Sequence, residues 1–407
     1  MLALVQLIFL ILFGIFVAFY SIYFSLMILS SRRVNRTKKS DTLPKLSLVI
    51  PAHNESEGII RKLENSVKLN YPKDKLEIIV VDDKSSDNTY QLAENFIKNN
   101  LDLCEIHLLS LPKWSGKASA LNYAWSICTG EIVAITDADI ALDSDAIQKI
   151  AKNFADPKIG AVTGRLCVVG KDGSTTDSEK NYRSIFDIIR LGESHIDSTP
   201  IFNGLIMAFR RELLDKLDSN TLADDTELAI MVREKGRRAI FDPEVIAYEY
   251  VSESPKVRAK QKLRRGRGIV QAFMRHKKIL FNRRYGTYGL VIFPSEFFMH
   301  IISPLLMVMI IATLIPSVII YLLSLSINTI ISLAIIGSLF LGGTLLFLLF
   351  RKRILSSSKG TVNPLSILAS FLTHEIYLII IVFSCLLRSI HITRRTKDIR
   401  SDWKTKN

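Results

Sequence analysis

From Leu2 to Leu29 the chain runs without a charged residue, and a helix of that length reaches across the ~30 Å hydrocarbon core of a bilayer. Arg32, Arg33, Arg36, Lys38 and Lys39 follow at once, the basic flank expected on the cytoplasmic side of a span. Residues 1–31 are therefore predicted to form a transmembrane anchor with the N-terminus outside. A cleaved signal peptide is the competing reading, but the apolar run is too long for one and no charge precedes it. With 48% hydrophobic residues and a mean hydropathy of +0.25, the chain is too apolar for an ordinary soluble protein.

The C-terminal part is apolar again. Ile301 to Leu323 and Thr329 to Phe350 predict two spans around a tight SLSIN turn, and Leu365 to Leu387 is a third apolar stretch interrupted by Thr373, His374 and Glu375. Arg351, Lys352 and Arg353 belong in the cytoplasm, and so do Arg388, Arg394, Arg395, Lys397 and Arg400, yet one span lies between the two groups. Either the segment Leu290 to His300 supplies a further crossing, or the last segment is re-entrant or interfacial. His374 and Glu375 favour a segment buried against protein. Residues 290–390 are thus a C-terminal transmembrane region and 391–407 a basic cytosolic tail. Cys104, Cys128, Cys167 and Cys385 show neither metal spacing nor a paired framework, which suits a reducing cytosolic face.

Between these parts, residues 43–254 have the composition of one globular α/β domain with a full core. A strand at Leu46 to Ile50, stopped by Pro51, leads into a polar loop at His53 to Ser56 and a helix from about Glu57. An apolar strand from Glu77 to Val81 ends in Asp82 and Asp83, before the helix-capping residues Ser85, Ser86, Asp87 and Thr89. Glu105 to Ser110 is a weaker strand, and Ala118 to Ser126 a helix. This alternation predicts a mostly parallel sheet wound with helices. The next strand, Ile132 to Ile135, is apolar on both faces and runs straight into Asp137 and Asp139. Ligands of open α/β sheets gather at such strand ends. Two Asp one residue apart bring hard oxygens to one Mg²⁺ or Mn²⁺ and leave positions open for the phosphates of a nucleotide diphosphate. The alternative is a plain polar turn. Gly116-Lys117 is not part of a phosphate-binding P-loop, because position 111 is Leu and position 118 is Ala; Lys117 is read as a point charge for phosphate or sugar.

Six segments in order carry a resemblance: VIPAHNES (Val49 to Ser56), VVDDKSSDNT (Val80 to Thr89), SGKASALN (Ser115 to Asn122), TDAD (Thr136 to Asp139), FNGLIMAFRRELL (Phe202 to Leu214) and ADDTEL (Ala223 to Leu228). Together they resemble the family 2 inverting glycosyltransferases, in the membrane-embedded branch similar to cellulose and hyaluronan synthases. The resemblance implies the GT-A fold, a Rossmann-like sheet, over about Leu46 to Gly268. It implies that Asp137 and Asp139 hold a divalent metal, and that Asp225 is the general base, with Asp224 and Glu227 as neighbours able to shift its pKa or exchange roles with it. It assigns Pro51, His53 and Glu55 to the first nucleotide loop and Asp82 or Asp83 to the base or ribose, a choice left open. It places Asn203 and Gly204 in the segment that lines the donor sugar, the alternative being an ordinary loop ahead of a helix at Phe209-Arg210-Arg211.

From Lys256 to Arg284 there are twelve Lys and Arg and no Asp or Glu, interleaved with apolar residues such as Leu263, Ile269 and Phe273. Residues 255–289 read as a basic amphipathic segment on an anionic membrane surface. Membrane lipids are favoured over nucleic acid, despite the net charge of +14, because spans follow directly and no nucleic-acid module is present. Gln261 and Arg264 there match the Gln-x-x-Arg-Trp signature of processive family members, but Arg265 stands where Trp is expected. The departure points to an anionic acceptor met bidentately by a guanidinium. The expected activity is a single inverting sugar transfer from a GDP- or UDP-sugar to a lipid-linked acceptor, polyprenyl phosphate or oligosaccharide. The rival readings are a processive polysaccharide synthase and a non-catalytic membrane scaffold or transporter.

Overall fold

The computed structural model describes residues 2–33, 38–100, 104–169, 174–250, 255–324 and 375–385. The expected span at Thr329 to Phe350, the Arg351 to Arg353 cluster and the tail at 391–407 lie outside the described residues.

Eight strands form one mixed sheet: β1 (Leu46–Ala52), β2 (Leu76–Asp82), β3 (Glu105–Ser110), β4 (Ile132–Thr136), β5 (Ile140–Leu142), β6 (Ile159–Val169), β7 (Ile206–Arg210) and β8 (Arg238–Tyr250), in the order β3-β2-β1-β4-β7-β6-β8-β5. The four strands β3, β2, β1 and β4 run parallel, while β7 lies antiparallel between β4 and β6. Every residue of β1, β2 and β4 is buried, because helices cover both faces. Alternation divides the core accordingly: Leu48 and Ile50 enter one apolar cluster, Val49 and Ile79 the other.

Two local expectations are corrected. Pro51 does not stop its strand, which continues to Ala52 with Pro51 opposite Val81. The Ala52 carbonyl accepts from Asp83 N at 2.8 Å, so the β2-facing bonds fall on Ala52. Pro51 faces the β4 side, where pairing has ended at Val49 opposite Ile135, and its missing N–H costs no ladder bond. The segment around Phe209 and Arg210 is strand β7 rather than a helix, followed by one 3-10 turn at Arg211–Leu213. Its apolar run IMAF is buried from Ile206 to Phe209 because it lies in the sheet interior between two partners.

The helices are α1 (Leu2–Ser31), α2 (Ile59–Val67), α3 (Thr89–Lys98), α4 (Lys117–Trp125), α5 (Ala146–Lys152), α6 (Ser174–Ile196), α7 (Asp224–Glu234) and α8 (Pro255–Arg275). Beyond them a helical run continues unbroken from Tyr288 to Ser324, so Leu290 to His300 is the start of the helix through Ile301 and not a separate crossing. Among the described residues two helices suit a membrane by length and composition, Leu4–Ser31 and Tyr288–Val318. The first docks on α6 at Gly192, where a Cβ would collide with the Met27 backbone, and Ser30 Oγ donates to the Gly192 carbonyl at 3.0 Å. The second meets α1 at Ser303, whose Oγ lies 2.9 Å from the Tyr20 hydroxyl, and that hydroxyl also donates to Glu375 Oε1 at 2.7 Å. Glu375 is 1% exposed, at the start of a short apolar helix Glu375–Cys385. That helix packs Leu378 and Ile381 on Val270 of α8, while Phe273 of α8 packs with Ile230 of α7 and Phe293. The apolar side of the basic segment is thus covered by protein on two sides.

Glu77 closes the sheet below the strand ends that matter. It is 1% exposed and accepts from Ser47 Oγ, from Thr129 N (2.6 Å) and Oγ1 (2.8 Å), and from Gly130 N (3.1 Å), fastening β2 to β1 and to the entry of β4. Burial pushes its carboxyl up, but these bonds outweigh it and hold the group below the usual carboxylate range. Glu77→Ala strands two amide N–H groups and should cost about 2–3 kcal/mol, read as a fall of roughly 5–10 °C in Tm for the detergent-solubilised protein. An unchanged Tm contradicts this accounting.

Candidate active site

At the C-terminal end of β4 the buried run IVAIT releases the chain into Asp137-Ala138-Asp139, with Asp137 half-buried and Asp139 exposed. The neighbouring strand end turns toward the same place. Asp83, just past β2, accepts from Ser115 N (2.8 Å) and Gly116 N (2.6 Å). That pins the loop before α4, which turns at Gly116 with φ +87, a conformation suited to glycine. Lys117 is the first residue of α4, and its Nζ lies 2.8 Å from Asp137 Oδ1 and 3.2 Å from Asp224 Oδ2. Its side chain is 15% exposed. Burial disfavours its charge, yet the Asp137 and Asp224 carboxylates hold the ammonium above its ordinary range.

The second carboxylate pair opens α7. Asp224 is pushed above the usual carboxylate range by burial, opposed by Lys117 and reinforced by Asp225 and Asp137. Asp225 is 7% exposed and its Oδ1 accepts from Thr226 N at 2.7 Å, which fixes the carboxyl plane. Gly204 packs on it: a Cβ there would stand 3.1 Å from Asp225 Oδ2, so a side chain at this position would crowd the carboxylate. Arg265 of α8 closes the other side, with Nη2 3.7 Å from Asp225 Oδ2 and donating to the Phe202 carbonyl at 3.1 Å. Its side chain remains 41% exposed. Arg265 therefore faces the site from α8. Glu227, expected as a stand-in for Asp225, is drawn elsewhere: His276 Nε2 donates to its Oε1 at 3.1 Å and Arg275 Nη1 lies 3.5 Å from its Oε2.

The first loop lies beside this centre. His53 Nδ1 donates to the Asp83 carbonyl (2.8 Å) and its ring lies 6.1 Å from that of Trp114, while Glu55 N donates to Thr89 Oγ1 (2.8 Å). Pro51 is one strand residue upstream of Ala52. Asp82 takes only long bonds, from Ser85 N at 3.3 Å and Ser110 Oγ at 3.3 Å. The two Asp differ physically: both Asp83 oxygens hold the α4 loop, whereas Asp82 is loosely bonded at the strand end. Asn203 is 5% exposed and its Nδ2 donates to the Gly164 carbonyl (2.8 Å), tying its segment to β6. Gln261 is exposed and Arg264 half-buried, one turn before Arg265 and Gly268 on α8.

Two further residues escaped the sequence reading. Lys62, on α2, is 2% exposed, and its Nζ donates to Thr136 Oγ1 (2.8 Å) and the Ile140 carbonyl (2.7 Å), the residues on either side of the Asp137 to Asp139 turn. Burial pushes this lysine down to about 7 against the pull of Asp137 and Asp139. Its signal is a lysine in the buried stripe Ile59, Lys62, Leu63, Ser66, where an apolar residue belongs. His276 bridges Glu227 and Glu234 (Nδ1 to Oε1, 2.9 Å) from the C-terminal end of α8. No motif marks it, because its partners lie on another helix.

Asp137 and Asp139 offer the hard carboxylate oxygens that a divalent cation takes, and Asp137 Oδ1 holds the Lys117 ammonium at 2.8 Å. Residues 47–218 match the model of Glycosyl transferase family 2. A probable glycosyltransferase, YdaM of Bacillus subtilis, is 34% identical over 262 residues, 60% of this chain and 61% of that protein. Poly-beta-1,6-N-acetyl-D-glucosamine synthase of Staphylococcus aureus is 27% identical over 278 residues, 66% of each chain. The chain thus spans 61% and 66% of the length of these two relatives. Among solved structures, the mannosyltransferase PcManGT from Pyrobaculum calidifontis, in complex with GDP-Man and Mn²⁺, superposes with a TM-score of 0.73 at 26% identity, over 94% of this chain and 99% of that one. Residues 47–218 thus resemble a family 2 glycosyltransferase domain, and the α/β fold is of GT-A type.

His276 makes the junction of α7 and α8 pH-sensitive. Burial alone would lower its pKa, but Glu227 and Glu234 raise it to about 9 from 6.5. A raised folded pKa stabilises fully below the unfolded value and loses that stability as pH rises through the folded one. Wild-type Tm should therefore fall between about pH 7 and pH 9.5, and His276→Gln should flatten that slope. Parallel pH profiles for both proteins contradict the assignment.

Proposed function

We propose that this chain, carrying a family 2 transferase domain of GT-A type, moves a single sugar with inversion from a GDP- or UDP-sugar to a lipid-linked acceptor, a polyprenyl phosphate or oligosaccharide. The observation that carries the reading is Lys117, whose ammonium joins Asp137 at the end of β4 to Asp224 at the start of α7. Donor turn and candidate base thereby share one small volume. Asp225 takes the proton of the attacking acceptor hydroxyl; its carboxyl is oriented by the Thr226 amide and left uncrowded by Gly204. Lys117 offsets negative charge as the diphosphate departs. A divalent cation on Asp137 and Asp139 would add Lewis-acid neutralisation of the same leaving group. Asp82, His53 and Glu55 bound the nucleoside side, and Asn203 and Gly204 the sugar side.

Arg265 supports an anionic acceptor. Its partly exposed guanidinium stands beside Asp225, where a neutral, sliding glycan is served better by an aromatic face. The helices Leu4–Ser31 and Tyr288–Val318 support a membrane-embedded enzyme, and the basic flank after the first supports a cytosolic domain. A processive synthase is the second reading, favoured by the 27% identity to the poly-N-acetylglucosamine synthase.

Asp225→Asn should leave nucleotide-sugar affinity near wild type while lowering kcat by about 10²-fold or more. A comparable loss of donor binding would move Asp225 into the donor site. Purified protein incubated with GDP- and UDP-sugars and polyprenyl phosphate should release free nucleotide diphosphate and add one sugar to the lipid fraction, with turnover abolished by excess chelator. A ladder of long chains establishes the polymerase instead, and full turnover in chelator overturns the metal role of Asp137 and Asp139.

A further inference from the structure

One buried side chain links the two halves of this site. Lys62 Nζ donates to Thr136 Oγ1 and to the Ile140 carbonyl, so it grips the donor turn immediately before Asp137 and immediately after Asp139. Thr136 Oγ1, having accepted from Lys62, donates onward to the Leu205 carbonyl at 3.0 Å. Leu205 follows Gly204, the residue packed on Asp225. The path therefore runs from α2 through the donor turn to the segment that bounds the candidate base, across elements far apart in sequence. One turn along α2, Asn65 clamps the chain farther past the same turn: its Nδ2 donates to the Leu142 carbonyl at 2.9 Å and its Oδ1 accepts from Leu142 N at 2.8 Å. Asn65 thus serves as a control, since it holds β5 but does not reach Leu205.

We infer that Lys62 is a positioning residue that locks the Asp137 to Asp139 turn to the Gly204-Leu205 segment, setting the donor carboxylates in register with Asp225. A lysine in the apolar stripe of a helix carries a desolvation cost that a methionine would avoid, so packing gives no reason for it. Its two bonds hold polar groups of the turn that otherwise lie buried under α2. A misplacement of about 1 Å between reacting groups costs on the order of 10²-fold in rate, which sets the scale of what this lock protects. The kinetic part of the inference rests on the proposed transferase reading; the structural part does not.

Hydrogen–deuterium exchange on the full-length, metal-free protein tests the lock directly. Lys62→Met should speed amide exchange in peptides covering both 136–142 and 203–210, whereas Asn65→Ala should speed it only around 140–142. Acceleration confined to 136–142 in Lys62→Met overturns the inference, whatever the reaction proves to be. In turnover assays, Lys62→Met and Thr136→Val should each lower kcat by roughly 10- to 100-fold with donor KM changed much less. The double variant should be no slower than the worse single one, and Thr136→Ser, which keeps the hydroxyl, should restore the rate. Additive losses, or Thr136→Ser as slow as Thr136→Val, reject the path through Thr136. Should Lys62→Met fail to fold, the Thr136 pair carries the same test in both exchange and turnover. Asp225→Asn run alongside separates failures: if it turns over normally, the assignment of Asp225 as base falls, and if the wild type itself turns over no nucleotide-sugar, the transferase reading falls, while the exchange result still decides the lock.

Discussion

Carboxylates can crowd into one partly dehydrated volume only if cations are built in among them, and that constraint shapes this molecule. Asp137, Asp224 and Asp225 converge at one edge of the sheet, and repulsion in a medium of lowered dielectric would drive them apart or protonate them. Lys117 answers it between Asp137 and Asp224 and Arg265 beside Asp225, while Lys62 bonds the hydroxyl and carbonyl that flank the Asp137 to Asp139 turn. The pairs are not interchangeable. Lys117 is a compact charge within reach of two carboxylates, whereas Arg265 also donates to the Phe202 carbonyl and so fixes its own direction.

Those cations need rigid supports, and the parallel half of the sheet provides them. Asp83 spends both carboxyl oxygens on the amides of Ser115 and Gly116, so a strand end of β2 decides where α4 begins and hence where Lys117 points. Glu77 does the equivalent at the opposite end, holding Thr129 and Gly130 at the entry of β4. Both are buried carboxylates satisfied by backbone N–H groups, which makes them hinge-free anchors. The antiparallel strand β7 then turns the chain so that Asn203-Gly204 reaches the same edge.

The apolar helices enter the site through α8. Its Phe273 packs toward α7 and its Val270 toward the helix Glu375–Cys385, while Gln271 Oε1 accepts from Leu222 N just ahead of the Asp224-Asp225 pair. The helix that carries Arg265 is thus wedged between the α/β domain and the apolar helices. Glu375 itself is buried where Tyr20 and Ser303 bond it, joining α1 and the Tyr288–Val318 helix to the same block.

The sequence by itself determined the elements: apolar runs long enough for strands covered on both faces, the carboxylates at their ends, the uncharged first helix, and the order of motifs along the domain. These are local properties, set by the spacing of apolar and polar residues within a few turns or one strand. It also marked Asp137 and Asp139, because acids at the end of an apolar strand are visible in one element, whereas Asp225 stood out only through the family resemblance of ADDTEL. Only the tertiary structure decided which acids share a cation. Lys117 looks like a loop lysine until α7 brings Asp224 to it, and Glu227 looks equivalent to Asp225 until α8 takes it away with His276 and Arg275. Pro51 and the Phe209-Arg210 segment were misjudged for the same reason: whether a missing N–H matters, or an apolar run is strand or helix, depends on which strand lies alongside. Lys62 is the clearest case, since a lysine in an apolar stripe is a puzzle in the sequence and becomes a clamp only where Thr136 and Ile140, far along the chain, supply its oxygens.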